Sequence, residues 1–256
     1  MSATPTKPLI FFVPGAWHDH SCFSHIRREL ETRGFETDAT DLATVGSADP
    51  KVGLLDDAQK VRKALRPHVE AGKNVIVLAH SFGGFVSSNA VYDLGAAQRK
   101  AEGKEGGVQM LVFLASAFAG KGQSIMSALG GHTPPFWDTS VPGLVSVLTP
   151  EHVFYNDVSP ELTAAAIASL KSMPEGVTGD VAEHSAWEEG ITCGYIFTLQ
   201  DRAVPIEGQK AVFEMYLPKG TWNATVDSSH SPFLSMPDKL ADKIVEAVKS
   251  VQRNGD

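Results

Sequence analysis

Two scarcities limit what this sequence of 256 residues can be. Its two cysteines, Cys22 and Cys193, are too few for a disulfide framework, which favours a reducing compartment. Basic residues are also few: 22 lysines and arginines face 30 aspartates and glutamates, and the formal net charge is -8. Nucleic acid and anionic membrane surfaces are therefore poor partners, because binding to such polyanions relies on a basic face.

Long apolar runs are missing as well. No stretch is long enough to span a bilayer, and residues 1–8 lack the apolar core of a signal peptide. We therefore expect a cytoplasmic protein whose partner is a small molecule, without nucleic-acid or membrane partners. The sequence leaves the oligomeric state open, a homodimer included. With 43% hydrophobic residues, the chain is long enough for one full-sized α/β domain.

Strand-like apolar runs alternate with helix-like segments along most of the chain. The predicted strands are residues 9–13, 35–42, 75–78, 108–115, 195–199 and 221–226. The predicted helices are residues 21–33, 56–71, 85–94, 207–217 and 238–251. This alternation predicts an α/β fold with a mostly parallel, doubly wound sheet of about six strands, in the order 2-1-3-4-5-6, with helices on both faces.

Two stretches interrupt the alternation. Residues 98–107 are polar and glycine-rich, which predicts a solvated loop. Residues 118–190 separate two core strands and show no strand pattern, only a helix-like run at 160–173. An insertion of this size predicts a helical lid between two segments of a core, residues 1–117 and 191–256.

Ser81 lies at the most informative point of the sequence. It follows the apolar run of a predicted strand and precedes a helical segment, with the small residues Ala79 and Gly83 two positions away on either side. This pattern predicts a nucleophile elbow, a sharp strand-to-helix turn that raises a serine oxygen above a sheet. A serine held in this way typically attacks an acyl carbon.

A serine nucleophile needs a base and an orienting acid. His230 follows the last predicted strand, and Asp201 follows the strand before it, so both lie at the carboxyl edge of the sheet. Asp227 is the alternative acid, although it lies on the same loop as His230. The chain order Ser81, Asp201, His230 is the order of the triad in hydrolases with this elbow.

The negative oxygen formed by attack on a carbonyl needs hydrogen-bond donors. We expect these to be the backbone N–H groups of Phe82, directly after the serine, and of Ala16, on the loop after the first strand. Gly15 allows the backbone to approach closely there. The first and third strands flank the crevice where the predicted strand order reverses, and they deliver Ala16 and Ser81 to it.

Taken together, these motifs resemble the α/β-hydrolase superfamily over nearly the whole chain. The likeness extends to the small esterases that include plant methyl-ester esterases, hydroxynitrile lyases and their microbial relatives. It rests on VPGAWH at 13–18, AHSFGG at 79–84, QDRAVP at 200–205 and SHSPF at 229–233. The resemblance implies that Ser81, His230 and Asp201 are nucleophile, base and acid, that Ala16 and Phe82 are oxyanion donors, and that no cofactor is needed.

Some positions depart from this branch. Pro14 and Gly15 replace the His-Gly pair of the plant enzymes. Ala16 and Ser231 stand where the resembling hydroxynitrile lyases carry threonine and lysine, which disfavours that lyase activity. A dehalogenase would need an aspartate in place of Ser81.

The predicted lid is rich in apolar residues, and basic residues are few in its early part. An uncharged, fairly apolar carboxylic ester or lactone is therefore the expected substrate. We expect it to contact Gly15, Trp17, Phe136, Trp137 and Phe154. A small-molecule receptor and a non-hydrolytic enzyme, such as a lyase or an acyltransferase, are the alternatives on the same fold.

The remaining histidines are interpreted structurally. His18, His20 and His25 cluster with Cys22 at a predicted helix start, without the convergent spacing of a zinc site, so no metal is expected. We expect the side chain of His80 to point away from Ser81, as a packing residue or as one that supports the catalytic residues without contacting substrate. The lid histidines His132, His152 and His184 are expected to be solvated.

Overall fold

The computed structural model describes residues 7–253, without the side chain of Arg253. Nine strands lie in this range. They are β1 (Leu9–Val13), β2 (Thr37–Ala39), β3 (Asn74–His80), β4 (Gly107–Leu114), β5 (Trp137–Asp138), β6 (Leu144–Val147), β7 (Met173–Pro174), β8 (Cys193–Thr198) and β9 (Trp222–Val226). Six of them form one sheet in the order β2-β1-β3-β4-β8-β9, and all five pairings are parallel. The predicted strand order is confirmed.

Helices cover both faces of this sheet, as expected. The α-helices are α1 (Ser24–Thr32), α2 (Leu54–Glu70), α3 (Phe82–Ala90), α4 (Ala96–Ala101), α5 (Ile125–Ala128), α6 (Pro150–Val153), α7 (Pro160–Ser169), α8 (Ile206–Tyr216), α9 (Pro232–Ser235) and α10 (Pro237–Arg253). Alternate residues of β3 face opposite sides. Val75 and Val77 pack in a core cluster with residues of α2 and α3, whereas Ile76 and Leu78 pack with residues of α1 and α10.

The segment between β3 and β4 corrects one prediction. Residues 98–107 were expected to form a solvated loop, but α4 covers the first part of that range. Arg99 is buried, and its guanidinium donates to the backbone oxygens of Val69, Glu105 and Gly106. Arg99 therefore ties α4 to the core, whereas residues 102–105, after α4, are exposed and non-helical, as the loop prediction expected.

We call residues 115–192, between β4 and β8, the cap. It contains α5, α6 and α7, in agreement with the predicted insertion, but the expectation of no strand was wrong. β5, β6 and β7 form a small antiparallel sheet with Trp137 opposite Val147 and Val145 opposite Met173. These strands have two to four residues, too few to show a period of two. The exact division at residues 117 and 190 stays a prediction.

The cap is joined to the core by polar contacts. The carboxylate of Asp180 accepts a hydrogen bond from the N–H of Leu54 at 2.8 Å. A cap residue therefore provides an acceptor for one of the N–H groups at the start of α2 that have no partner within the helix. The N–H of Gly46 donates to the carbonyl of Ser172 at 2.8 Å. Within residues 7–253, no helix has the length and apolar character needed to cross a membrane.

Candidate active site

Ser81 lies at the turn from β3 into α3, with φ 52° and ψ −128°, a conformation that costs energy for a residue with a side chain. Its N–H donates to the carbonyl of Leu114 at 2.9 Å, and Ser116 Oγ donates to its carbonyl at 2.6 Å. Only glycine fits at position 83, because a Cβ would collide with the backbone oxygens of Val13 and Pro14. The turn is therefore fixed by its neighbours, as the elbow pattern predicts.

His230 and Asp201 are brought together although they lie on different loops. Nδ1 of His230 is 2.8 Å from Oδ2 of Asp201, and both side chains are almost completely buried. Because the carboxylate can only accept, Nδ1 carries the proton, which leaves Nε2 as the basic ring nitrogen. The ring is stacked on Phe154 with centroids 5.4 Å apart. Asp227, the alternative acid, is exposed and accepts from Gln200 instead.

Five donors surround the carboxylate of Asp201. Oδ1 accepts from the N–H groups of Ala203 and Val204 at 2.8 and 2.9 Å. Oδ2 accepts from His230, from Thr198 Oγ1 at 2.9 Å and from Gln209 Nε2 at 3.3 Å. Such a set fixes the orientation of the carboxylate and therefore of the imidazole.

Sequence reasoning missed Gln209 and Thr198. Gln209 is fully buried on α8, and its amide oxygen accepts from the N–H of Thr198 while its nitrogen donates to the carbonyl of Val204 at 2.7 Å. A glutamine early in a helix ordinarily faces solvent, so the local sequence gives no sign of this burial. The one available signal is its position eight residues after the predicted acid.

His80 connects the elbow to the histidine loop. As predicted it is a packing residue, fully buried, and its Nε2 donates to the backbone carbonyl of His230 at 2.9 Å. Its ring centroid is 4.5 Å from that of His230. Burial, together with the charge that His230 would carry, holds the pKa of His80 well below its usual value, so its ring is neutral. The residue before Ser81 is thus in direct contact with His230.

The loop that carries Ala16 lies beside the elbow. A Cβ on Gly15 would come within 2.8 Å of Ser81 Cβ and 3.1 Å of His80 Nδ1, so this approach requires glycine. Trp17 has φ 66°, a strained value for a large side chain. The N–H of Phe82 is the first of α3 and has no acceptor within the helix. The two predicted oxyanion donors, Ala16 on the loop after β1 and Phe82 at the start of α3, line the same cavity as Ser81.

A cavity of about 80 Å³ opens at Ser81. Trp17, Phe136, Trp137 and Phe154 line it, as does Phe82, whereas Gly15 packs behind Ser81 and is not among its lining residues. The cap also contributes Met173, Val177 and Thr178, which the sequence did not indicate. No lining residue is charged, and the side-chain polar groups of the lining are the hydroxyls of Ser81 and Thr178 and the indole N–H groups of Trp17 and Trp137.

A family model described as the alpha/beta hydrolase family matches residues 10–243. The chain belongs to the alpha/beta hydrolase family. This assignment agrees with the parallel sheet, the covering helices and the elbow at Ser81.

Relatives within the alpha/beta hydrolase family come from fungi and plants. An alpha/beta hydrolase, nvfD, of Aspergillus novofumigatus is 28% identical over 246 residues, covering 94% of this chain and 96% of the relative. Methylesterase 18 of Arabidopsis thaliana is 25% identical over 266 residues, covering 94% and 97%. The crystal structure of the Arabidopsis methylesterase MES16 superposes with a TM-score of 0.74 at 21% identity, covering 94% and 99%. The predicted resemblance to plant methylesterases and microbial relatives is confirmed.

Two of the histidines that lie close together in the sequence near residue 20 have separate hydrogen-bond partners in this alpha/beta hydrolase. His18 binds Tyr155, whereas His20 binds Asp41. In the described part of the chain, no three His, Cys, Asp or Glu side chains are grouped to hold a metal ion. Of the lid histidines, His132 and His152 are exposed as expected.

His184 corrects the prediction of a solvated ring. It is half-buried, stacks on Tyr92 with centroids 3.9 Å apart, and contacts Glu189 at 2.6 Å. An aromatic neighbour from the core therefore holds the ring, which the lid sequence alone could not indicate.

Proposed function

We propose that this chain is a serine hydrolase that cleaves an uncharged, fairly apolar carboxylic ester or lactone through an acyl-enzyme. The observation that carries the proposal is the uncharged apolar cavity lined by Ser81, whose preceding residue His80 contacts His230 of the buried His230–Asp201 pair. Relatives named as methylesterases support the ester class.

In the proposed acylation step, Nε2 of His230 removes the proton of Ser81 Oγ, which attacks the carbonyl carbon of the ester. The carbonyl π electrons move to oxygen, and the N–H groups of Ala16 and Phe82 stabilise that oxyanion. When the carbonyl reforms, the bond to the alkoxy oxygen breaks and His230 returns the proton to it. An alcohol leaves, or the ring of a lactone opens, and the acyl group stays on Ser81.

In the proposed deacylation step, a water molecule gives a proton to Nε2 of His230 and attacks the acyl carbon. Collapse of the second tetrahedral intermediate breaks the bond to Oγ of Ser81, which recovers its proton from His230. Asp201 stabilises the imidazolium in both steps and keeps Nδ1 protonated. The products are a carboxylic acid and free enzyme, and no cofactor enters the balance.

The lining of the cavity supports the substrate class. Burying a carboxylate or an ammonium group among these side chains would leave the charge without a partner, which costs several kcal/mol. Neutral esters avoid this cost, because their apolar parts replace water against the aromatic walls.

A fluorophosphonate probe and a panel of p-nitrophenyl esters test the proposal. We expect rapid addition of one phosphonyl group and hydrolysis of the neutral esters, both lost in Ser81→Ala. The control Ser250→Ala removes a hydroxyl from α10 and leaves both unchanged. Turnover restricted to charged esters would contradict the substrate class. Tight reversible binding of a neutral ester without capture by the probe would favour a small-molecule receptor.

A further inference from the structure

Trp17 and His18, on the loop that carries Ala16, are held from the cap by three hydrogen bonds. Trp17 Nε1 donates to the carbonyl of Val145 at 3.1 Å, and the N–H of Lys171 donates to the carbonyl of Trp17 at 3.0 Å. The third joins Nε2 of His18 to the hydroxyl of Tyr155 at 2.8 Å, across 137 positions of sequence. The conformation of this loop therefore depends on the cap.

The direction of the hydrogen bonds at His18 follows from their partners. Nδ1 is 2.8 Å from the carbonyl of Ala16, which can only accept, so Nδ1 carries the proton. Burial lowers the pKa of His18 to about 4, so the ring is neutral and Nε2 accepts. Burial raises the pKa of Tyr155, whose hydroxyl therefore stays protonated and donates. The result is a chain of two hydrogen bonds, from Tyr155 to His18 and from His18 to Ala16, which we call the relay.

This relay acts on the residue whose N–H is the proposed oxyanion donor. The carbonyl of Ala16 is fixed by His18, and the next residue, Trp17, has a backbone conformation that persists only under external constraint. Neither His18 nor Tyr155 lines the cavity. Both residues are buried, with 3% and 2% of their surface exposed. Bulk water therefore does not compete for the hydrogen bonds of His18 to Ala16 and to Tyr155.

We propose that His18 and Tyr155 are positioning residues, through which the cap holds the backbone of Ala16 in place for the oxyanion. This inference rests on the proposed function, because it assigns a role at the same site. It differs from the mechanism in that neither side chain touches the reacting atoms.

Neighbouring residues of the cap brace the other two loops of the site. Asn156 Nδ2 donates to the carbonyl of Gln200, next to Asp201, at 3.2 Å. Ser229, next to His230, donates from its N–H to Asp157 Oδ2 at 3.1 Å and from Oγ to the carbonyl of Phe154 at 3.0 Å. One segment, residues 154–157, thus contacts all three loops, and Tyr155 is its contact with the oxyanion loop.

The test compares Tyr155→Phe, His18→Asn and His18→Ala with wild type, using a neutral p-nitrophenyl ester and active sites titrated with a fluorophosphonate. We expect kcat per titrated site to fall about 3- to 10-fold in Tyr155→Phe and about 10- to 100-fold in His18→Ala, since misplacing a donor weakens transition-state binding. In His18→Asn, whose amide can still donate to Ala16, we expect a decrease in kcat per titrated site between those of the other two variants. KM stays within about twofold, because the cavity wall is unchanged.

Tyr216→Phe is the matched control, since it removes a hydroxyl that binds Gln123 on the exposed surface. A purely structural role for the relay would lower the number of titrated sites and leave kcat per site unchanged, which would overturn the inference. So would a Tyr155→Phe variant that matches Tyr216→Phe in kcat per site. If the inference fails in this way and Ser81→Ala is inactive, the proposed function still holds. If Ser81→Ala is active, the proposed function fails, and the inference fails with it.

Discussion

The central sheet and the cap contribute to the candidate site in different ways. The loops at the carboxyl ends of the core strands hold the three side chains proposed for the chemistry, Ser81, Asp201 and His230. The cap provides much of the apolar cavity wall, including Phe136 and Trp137, together with hydrogen bonds that brace those loops. In the proposed function, the core therefore supplies the reacting side chains and the cap supplies much of the cavity wall, and a few polar contacts join the two.

The largest effect should come from the core acid. Asp201→Asn places an amide against Nδ1 of His230, which no longer favours the tautomer with a basic Nε2. We expect kcat/KM for a neutral ester to fall about 10³- to 10⁴-fold. The control is Asp227→Asn, on the same loop as His230, which should stay within about threefold. Equal losses in the two variants, measured in steady-state assays, would contradict the assignment of Asp201, and a larger loss in Asp227→Asn would transfer the role to Asp227.

A smaller loss should follow removal of the support of that acid. Gln209→Leu removes one of the five donors to Asp201 and leaves the N–H of Thr198 and the carbonyl of Val204 without the Gln209 side chain as partner. We expect about a 10- to 100-fold decrease in kcat and a decrease of about 1–3 kcal/mol in the free energy of unfolding. Urea unfolding and titrated assays separate the two effects, and Gln98→Leu, at an exposed position of α4, serves as control. A variant with wild-type kcat per site would show that α8 does not orient the acid.

The elbow has a local sequence pattern, whereas the contacts between core and cap join residues that are far apart in the chain, and this difference limits what the sequence predicts. The elbow is recognisable in the sequence because a buried strand, two small flanking residues and a helix follow one another directly, within residues 74–90. β5, β6 and β7 are not, because each is short and its partner is known only after folding. The bond between His18 and Tyr155 has no local signal at all. Periodicity describes what a segment buries, but a contact between distant residues requires coordinates.

The buried contact between His18 of the core and Tyr155 of the cap can be tested through the pH dependence of the free energy of unfolding. The folded-state pKa of His18, about 4, lies below its unfolded value, so the folded state binds fewer protons and loses stability as pH falls below about 6.5. This histidine contributes about 2 kcal/mol to the loss in unfolding free energy between pH 7 and pH 5. Urea unfolding of His18→Asn should therefore show a loss smaller by about that amount. His132→Asn, at an exposed histidine, should keep the wild-type loss, and equal losses in all three proteins would refute the buried neutral ring.

The smallest effect should be a change of selectivity from the cap. Phe136→Ala enlarges the cavity, so bulkier esters should gain about 10-fold in kcat/KM relative to an acetate ester, the scale expected for a few apolar contacts. The control Val141→Ala truncates an exposed side chain of the cap outside the lining. Unaltered selectivity over the ester series would mean that the cap does not shape the substrate site.

The central claim, that Ser81 becomes acylated during turnover, is tested most directly by acid quenching during hydrolysis of a neutral p-nitrophenyl ester, followed by intact mass and peptide mapping. The account predicts one acyl group per chain, on the peptide that contains Ser81, and none in Ser81→Ala. Continued turnover with no acyl group on Ser81, or undiminished hydrolysis by Ser81→Ala, would contradict it.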